Sequence, residues 1–145
     1  MIALIQRVTD AAVTIDGVQV AAIGPGLLAL VAAEPDDDDA RAARLAQRVL
    51  AYRIFADAQG RMNHSVVNAG HAVLAVPQFT LAADTRRGNR PGFSSACAPA
   101  RAQTLFDAFV AALTAEHAPI ATGVFGADMQ VRLVNDGPVT FWLQA

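Results

Sequence analysis

The chain has no lysine, and only one cysteine, one tryptophan and one tyrosine among its 145 residues. With Cys97 alone no internal disulfide can form, which fits a reducing compartment and makes a cytoplasmic location the expectation. No apolar run is long enough for a membrane span, because Asp, Gln or Pro cuts each one. The opening Met1-Ile2-Ala3-Leu4-Ile5-Gln6-Arg7 lacks the basic start and cleavage site of a secretory signal, so no membrane partner is expected. An excess of positive charge is missing too. The net charge of −2 argues against holding nucleic acid by bulk electrostatics, and no DNA partner is expected. All eleven basic residues are arginine, which with the heavy use of alanine points to a GC-rich genome rather than to function. Any phosphate contact therefore falls to a guanidinium fork.

What is present is apolar and patterned. At 54% hydrophobic and 17% charged the chain is not disordered, and its length suits a single domain over residues 1–145. Residues 2–8 and 12–15 read as strands, and Asp16-Gly17 as a type I′ turn into a partner strand at 18–21. Residues 27–33 read as a buried strand. Asp36, Asp37, Asp38 and Asp39 read as a solvated charge run that starts a helix and complements its dipole, with Leu45, Val49 and Tyr52 at helical spacing. Residues 54–68 read as loop with a turn at 57–61, and 73–76 as a strand leading into Gln78-Phe79-Thr80. Residues 82–93 form a long loop by their Gly, Pro and Asn content. Residues 99–117 read as a helix with Leu105, Phe109 and Leu113 on one stripe, Phe106 and Val110 beside it, and Pro119 beyond its end. Residues 129–134 alternate as a strand. The sum is an α+β fold: mostly antiparallel strands in two packed, barrel-like sheets with two main amphipathic helices.

The usual chemistry is absent from the pattern. No Gly-x-Ser-x-Gly elbow surrounds Ser65, Ser94 or Ser95. Cys97 sits between alanines ahead of a helix, where a thiol is either acidified or simply a small buried residue. His64, His71 and His117 show no metal-ligand spacing, so no metal is expected, and no cofactor. Thr80 has no base beside it in sequence, although a distant histidine can approach in space. Gln78 and Thr80, two apart, point to one face if this is a strand, and Phe79 to the other. The following loop carries Arg86, Arg87 and Arg90 against Asp84, a balance that serves either solvation or anion contact. At the far end, Gly137-Pro138 precedes the apolar run 139–143. The pair is either a tight turn closing a hairpin or a stiff backbone element presented to a small ligand.

Two stretches, Pro77-Gln78-Phe79-Thr80-Leu81 and Asn135-Asp136-Gly137-Pro138-Val139-Thr140, resemble the paired signatures of the D-aminoacyl-tRNA deacylases. The opening octapeptide, Tyr52-Arg53-Ile54-Phe55, Ala82-Ala83-Asp84-Thr85 and Phe141-Trp142-Leu143 resemble that family too, so the similarity runs from end to end. The resemblance implies a homodimeric hydrolase that cleaves the ester of D-aminoacyl-tRNA and also removes glycine mischarged on tRNA(Ala). It implies a cis Gly137-Pro138 bond whose carbonyls enter the partner's pocket and face Gln78, Phe79 and Thr80, the catalytic segment. By the same resemblance Phe125 and Met129 line a pocket for the terminal adenosine, Arg7 orients the Gly-Pro element, and the tRNA's own 2′-OH assists. Thr80 is then a positioning and oxyanion residue beside backbone N–H groups, each such donor typically worth about 10²–10³ in rate. Exclusion of L side chains by backbone atoms is a steric form of selectivity. One departure stands out: position 77 is proline where the family commonly has serine, which removes a hydroxyl and a backbone donor. It is expected to be tolerated, because Gln78, Phe79 and Thr80 are intact. Three other readings remain: a non-catalytic tRNA-binding module of the same fold, a thiol hydrolase using Cys97, and acyl-enzyme chemistry at Thr80.

Overall fold

The computed structural model describes residues 1–86, 88–94 and 96–145; Arg87 and Ser95, named above, lie outside the described residues. In chain order come strands β1 (Ile2–Ile15), β2 (Val18–Ile23) and β3 (Gly26–Ala32), then helix α1 (Asp39–Ala51). Two short strands, β4 (Phe55–Ala56) and β5 (Met62–His64), follow with a one-turn helix α2 (Val66–Ala69). Strand β6 (Ala72–Pro77) runs into a 3-10 turn at Phe79–Ala82, and helix α3 (Pro99–Glu116), β7 (Ile120–Thr122) and β8 (Gln130–Gln144) complete the chain.

The main sheet has the order β2-β1-β3-β6-β7, with β8 also paired to β1, and β4 and β5 form a second, small sheet. The β1 pairings are antiparallel, while β3–β6 and β6–β7 are parallel. The sheet curls until β2 faces β6 and β7, which nearly closes a barrel. The α+β, mostly antiparallel and barrel-like expectation holds. Strand β1 is one element rather than two, because Asp10 and Ala11 stay paired with β8 and only Thr9 steps out of the ladder. The turn that follows has positive φ at both Asp16 and Gly17, as a type I′ turn requires.

Alternation divides the core in two. Leu28, Leu74, Val76, Val8, Ala11 and Val13 fill the barrel interior, whereas Leu27, Ala29, Val31, Val73 and Ala75 face the helices. Strands β3 and β6 are thus buried on both faces, the usual condition of parallel strands. Each such Leu or Val removed from water stabilises by about 1.5–3 kcal/mol. Helix α3 lays Leu105, Phe106, Phe109 and Leu113 on this layer, the stripe that the spacing predicts. Helix α1 does the same with Leu45 and Val49, but Tyr52 lies just past its end, half-buried.

The segment read as loop, 54–68, contains β4, β5 and α2, and Ser65 caps α2 with Asn68 answering as its partner. The turn at 57–61 is real: Asp57 Oδ1 accepts from the N–H groups of Gln59 and Arg61. These and the Asn63 amide hold its carboxyl below the usual range.

The acidic run is not uniformly solvated. Asp38 caps α1 by accepting from the Arg41 N–H, but Asp37 is buried. Its Oδ1 lies 2.6 Å from the Met1 ammonium, its Oδ2 accepts from the Glu34 N–H at 2.6 Å, and Arg41 approaches at 3.3 Å. The start of β1 and the approach to α1 are therefore fastened by a buried charge pair. Asp37→Ala leaves the buried ammonium with only the more distant Glu34 carboxylate, at 3.5 Å, and the Ala145 carbonyl, at 2.9 Å, and we expect a loss towards about 3 kcal/mol in urea denaturation. A loss below about 1 kcal/mol, the range of exposed pairs, would show that the charges are in effect solvated.

Candidate active site

Strand β6 ends at Pro77, and the chain does not continue as a strand. The Gln78 N–H donates to the Val31 carbonyl at 2.7 Å, a last bond to β3, and residues 79–82 then wind into the 3-10 turn. The strand-face argument for Gln78 and Thr80 is corrected accordingly. The two still meet, because the turn folds them together: Gln78 Nε2 donates to Thr80 Oγ1 at 2.5 Å. The Phe79 and Thr80 N–H groups open the turn, where helix geometry gives them no acceptor within it. Among the described residues no histidine hydrogen-bonds to Thr80; His117 Nε2 sits 2.7 Å from the His71 carbonyl instead. Phe79 is 56% exposed and packs against Phe93, ring centroids 5.2 Å apart.

Beside this turn lies a cavity of about 440 Å³. Pro77, Gln78 and Phe79 line it together with Phe125 and Met129 from the loop between β7 and β8. Sequence reasoning had linked these two groups only through resemblance; the fold brings them to one place. Cys97, just ahead of α3, and Ala102 within it also line the cavity. Burial pushes the Cys97 thiol above its ordinary value, which disfavours the thiolate that a nucleophile needs. Its part in the cavity went unread because a lone cysteine between alanines carries no spacing signal.

Gly137 and Pro138 do not line this cavity. They lie in an excursion of β8. Gln6 pairs with Thr140 and Val8 with Asn135, so residues 136–139 leave the ladder while β8 keeps the same neighbour on either side. The hairpin-turn reading is corrected: the chain continues in one direction past the Gly-Pro step. The Gly137-Pro138 bond is cis, as is Ala118-Pro119, and both Gly137 and Pro138 are exposed.

The excursion is braced from behind. Asn135 Nδ2 donates across its base to the Arg7 carbonyl at 2.9 Å and to the Val139 carbonyl at 3.2 Å. Arg7 Nη1 donates to the Ile54 carbonyl at 2.6 Å. Its buried Nε lies 2.8 Å from Asp136 Oδ2, an ion-pair contact whose N–H is not aligned for a linear hydrogen bond. Arg7 thus touches the residue preceding Gly137. The brace residues Asn135 and Asp136 carried no assigned role in the sequence, since their partners are distant in it.

A family model described as D-Tyr-tRNA(Tyr) deacylase matches residues 4–144. The chain belongs to that family. It is 60% identical over 144 residues to a protein from Enterobacter sp. (strain 638) named D-aminoacyl-tRNA deacylase, with 99% of each chain covered. A relative of the same name from Escherichia coli O1:K1 / APEC is 59% identical over 144 residues, again with 99% of each covered. A solved structure titled c-Myc DNA Unwinding Element Binding Protein superposes with a TM-score of 0.95 at 36% identity, covering 100% of this chain and 99% of the other. A second, of a probable eukaryotic D-amino acid tRNA deacylase, gives 0.83 at 17% identity over 99% and 98% of the two chains, and shares the fold.

The basic loop beyond the 3-10 turn is closed by a bridge between Asp84 and Gly92. Within it Arg86 forks onto Asp84 at 2.9 and 3.0 Å and holds its carboxyl down to about 2, from an ordinary 3.8. A depressed carboxylate keeps its pairing above the ordinary value and loses it as pH falls through about 2. In NMR titration Asp84 should therefore protonate near pH 2, and in Arg86→Ala its midpoint should climb towards 3.8. An unchanged midpoint in that variant would remove Arg86 as the cause.

Proposed function

We propose that this chain hydrolyses the ester between a D-amino acid and the terminal ribose of tRNA, releasing free D-amino acid and tRNA. Membership of the deacylase family supports the reaction, and the convergence of Gln78 and Phe79 with Phe125 and Met129 on one cavity carries the placement. In this reading Phe125 and Met129 receive the terminal adenosine, which sets the ester beside the 3-10 turn. Water adds to the ester carbonyl, and the Phe79 and Thr80 N–H groups receive the developing oxyanion. Collapse then expels the ribose oxygen, which takes up a proton as the attacking water gives one up, with the 2′-OH of the tRNA assisting. Thr80 acts by position: its hydroxyl is engaged by Gln78, and the thiol alternative at Cys97 is disfavoured by burial.

The reading includes a homodimer, with residues 1–145 acting as one domain in each subunit. Gly137 and Pro138 lie outside their own chain's cavity, so a second copy has to supply them if they gate it. Two features favour such a copy. Strand β8 pairs only with β1 and leaves its other edge open among the described residues, and Trp142 and Val134 on it are 52% and 48% exposed. The carbonyls of Gly137 and Pro138 then hold the substrate ammonium and leave no room for an L side chain; glycine, with no side chain, passes, as on tRNA(Ala). DNA has no part in this reading, which a net charge of −2 also disfavours.

Purified protein should release D-tyrosine from D-Tyr-tRNA and leave L-Tyr-tRNA essentially intact. Binding of tRNA without turnover of either would instead favour the non-catalytic module. Gly137→Ala should lower the D-over-L ratio by at least about tenfold, equivalent to ~1.4 kcal/mol. Its melting temperature should fall only modestly, since the new methyl meets one tight neighbour, Asn135 Oδ1 at 3.2 Å, which has to give by a few tenths of an ångström. Full selectivity in that variant would end the gate assignment.

A further inference from the structure

Met129 is an unexpected residue with which to shape a pocket. Its side chain is unbranched and has three rotatable bonds, so left alone it samples many positions and gives a bound ring no fixed surface. Here the thioether is located by backbone. The Val124 N–H approaches Met129 Sδ at 3.4 Å, a contact of hydrogen-bond length for sulfur. The neighbouring Gly123 leaves the space that the sulfur occupies: a Cβ built on Gly123 falls 2.8 Å from Met129 Sδ. The next closest atoms, Pro77 Cδ and Val76 Cγ1, are at 3.4 Å, an ordinary packing distance. Gly123 is itself fixed, because its N–H donates to the Ala75 carbonyl of β6 at 2.9 Å.

We infer that Gly123 is a positioning residue that seats the Met129 thioether against the cavity wall and so sets the width of the slot for the terminal base. The inference rests on the reading of the cavity given above and adds to it a residue that does not line the cavity. A methyl at position 123 is inexpensive for the fold, because the atom it displaces is near the end of a flexible side chain. It is costly for the slot, because the sulfur has to leave its seat beside the Val124 N–H, and the lining that Met129 contributes moves with it. The expected signature is a change in substrate binding with the chemical step preserved.

The test is a double-mutant cycle with Gly123→Ala, Met129→Ala and the two combined, read as KM and kcat on D-Tyr-tRNA, as inhibition by adenosine 5′-monophosphate, and as melting temperature. Gly123→Ala should raise KM and weaken inhibition about tenfold, a moderate cost for a displacement of this kind, with kcat within about twofold of wild type. Added to Met129→Ala, the same methyl should change neither, because the atom it displaces is gone. Equal effects in both backgrounds, or no effect in either, overturn the inference. Should Gly123→Ala alone fail to fold, the combined variant must fold, and its failure also overturns it. Unchanged KM in Met129→Ala, with no inhibition of wild type by the nucleotide, instead takes down the cavity reading itself and this inference with it.

Discussion

The constraint on which the rest of the molecule depends is the pairing of β1 with β8. Two steps along β1, from Gln6 to Val8, are matched by five along β8, from Asn135 to Thr140. The surplus residues have to leave the sheet, and the ladder on both sides fixes where. Strand β1 cannot adjust, because its other edge is occupied by β3 from Ile2 to Val8 and by β2 from Ala11 to Ile15. The excursion is therefore held at both roots by backbone hydrogen bonds, and Asn135 closes its base from within. A proline is tolerated at this place because residue 138 owes no N–H to the ladder.

Strand β6 plays the corresponding part for the cavity. Both its faces are buried, so neither translation nor rotation is open to it without exposing apolar surface. It carries the Gln78 turn at its end, locked by the bond to the Val31 carbonyl, and it anchors Gly123 through the Ala75 carbonyl. Two lining segments some fifty residues apart in sequence are thereby referred to one rigid strand. Pro77 suits this role. It occupies the last position of β6, beside Val31 in register, and the hydrogen bond that matters there is made by the following N–H of Gln78.

How much of this is legible in the sequence depends on the range of the interaction that decides each element. The Asp16-Gly17 turn and helix α3 are decided locally and read correctly, whereas the sequence shows β1 in two pieces and β8 only as far as 134, because pairing with a distant strand carries each across its irregular stretch. The small β4–β5 sheet is not, because two strands so short have no period to detect. Asp37 reads as one of four equivalent carboxylates; what singles it out is the Met1 ammonium, which the β1 ladder delivers from the other end of the segment. Gln78 and Thr80 meet for a reason other than strand alternation: Gln78 stands at the head of the 3-10 turn, and its side chain reaches forward to the Thr80 hydroxyl. The site residues were legible as motifs, and their roles as resemblance. Arg7, Asn135 and Asp136 act on one another across more than a hundred positions, which spacing cannot show.

In the proposed reading, the division between brace and cavity explains why selection falls to backbone. A gate that has to be supplied to another subunit must arrive already shaped, since it cannot rely on packing inside the pocket that it enters. The excursion meets that demand within its own chain: Asn135 sets its base, and Arg7, held by the Ile54 carbonyl, fixes Asp136. At its tip only a glycine and a proline remain, neither with a side chain free to rotate. Their carbonyl positions are then decided by bonds made well behind the point of contact. A side-chain gate would have had to be ordered in each encounter, at an entropic cost of up to about 1.5–2 kcal/mol for a long polar residue. Discrimination between mirror-image substrates, which differ in no bond and no charge, needs a surface that yields little, and under the proposed reading the bonds of Asn135 and Arg7 are what would limit its yielding.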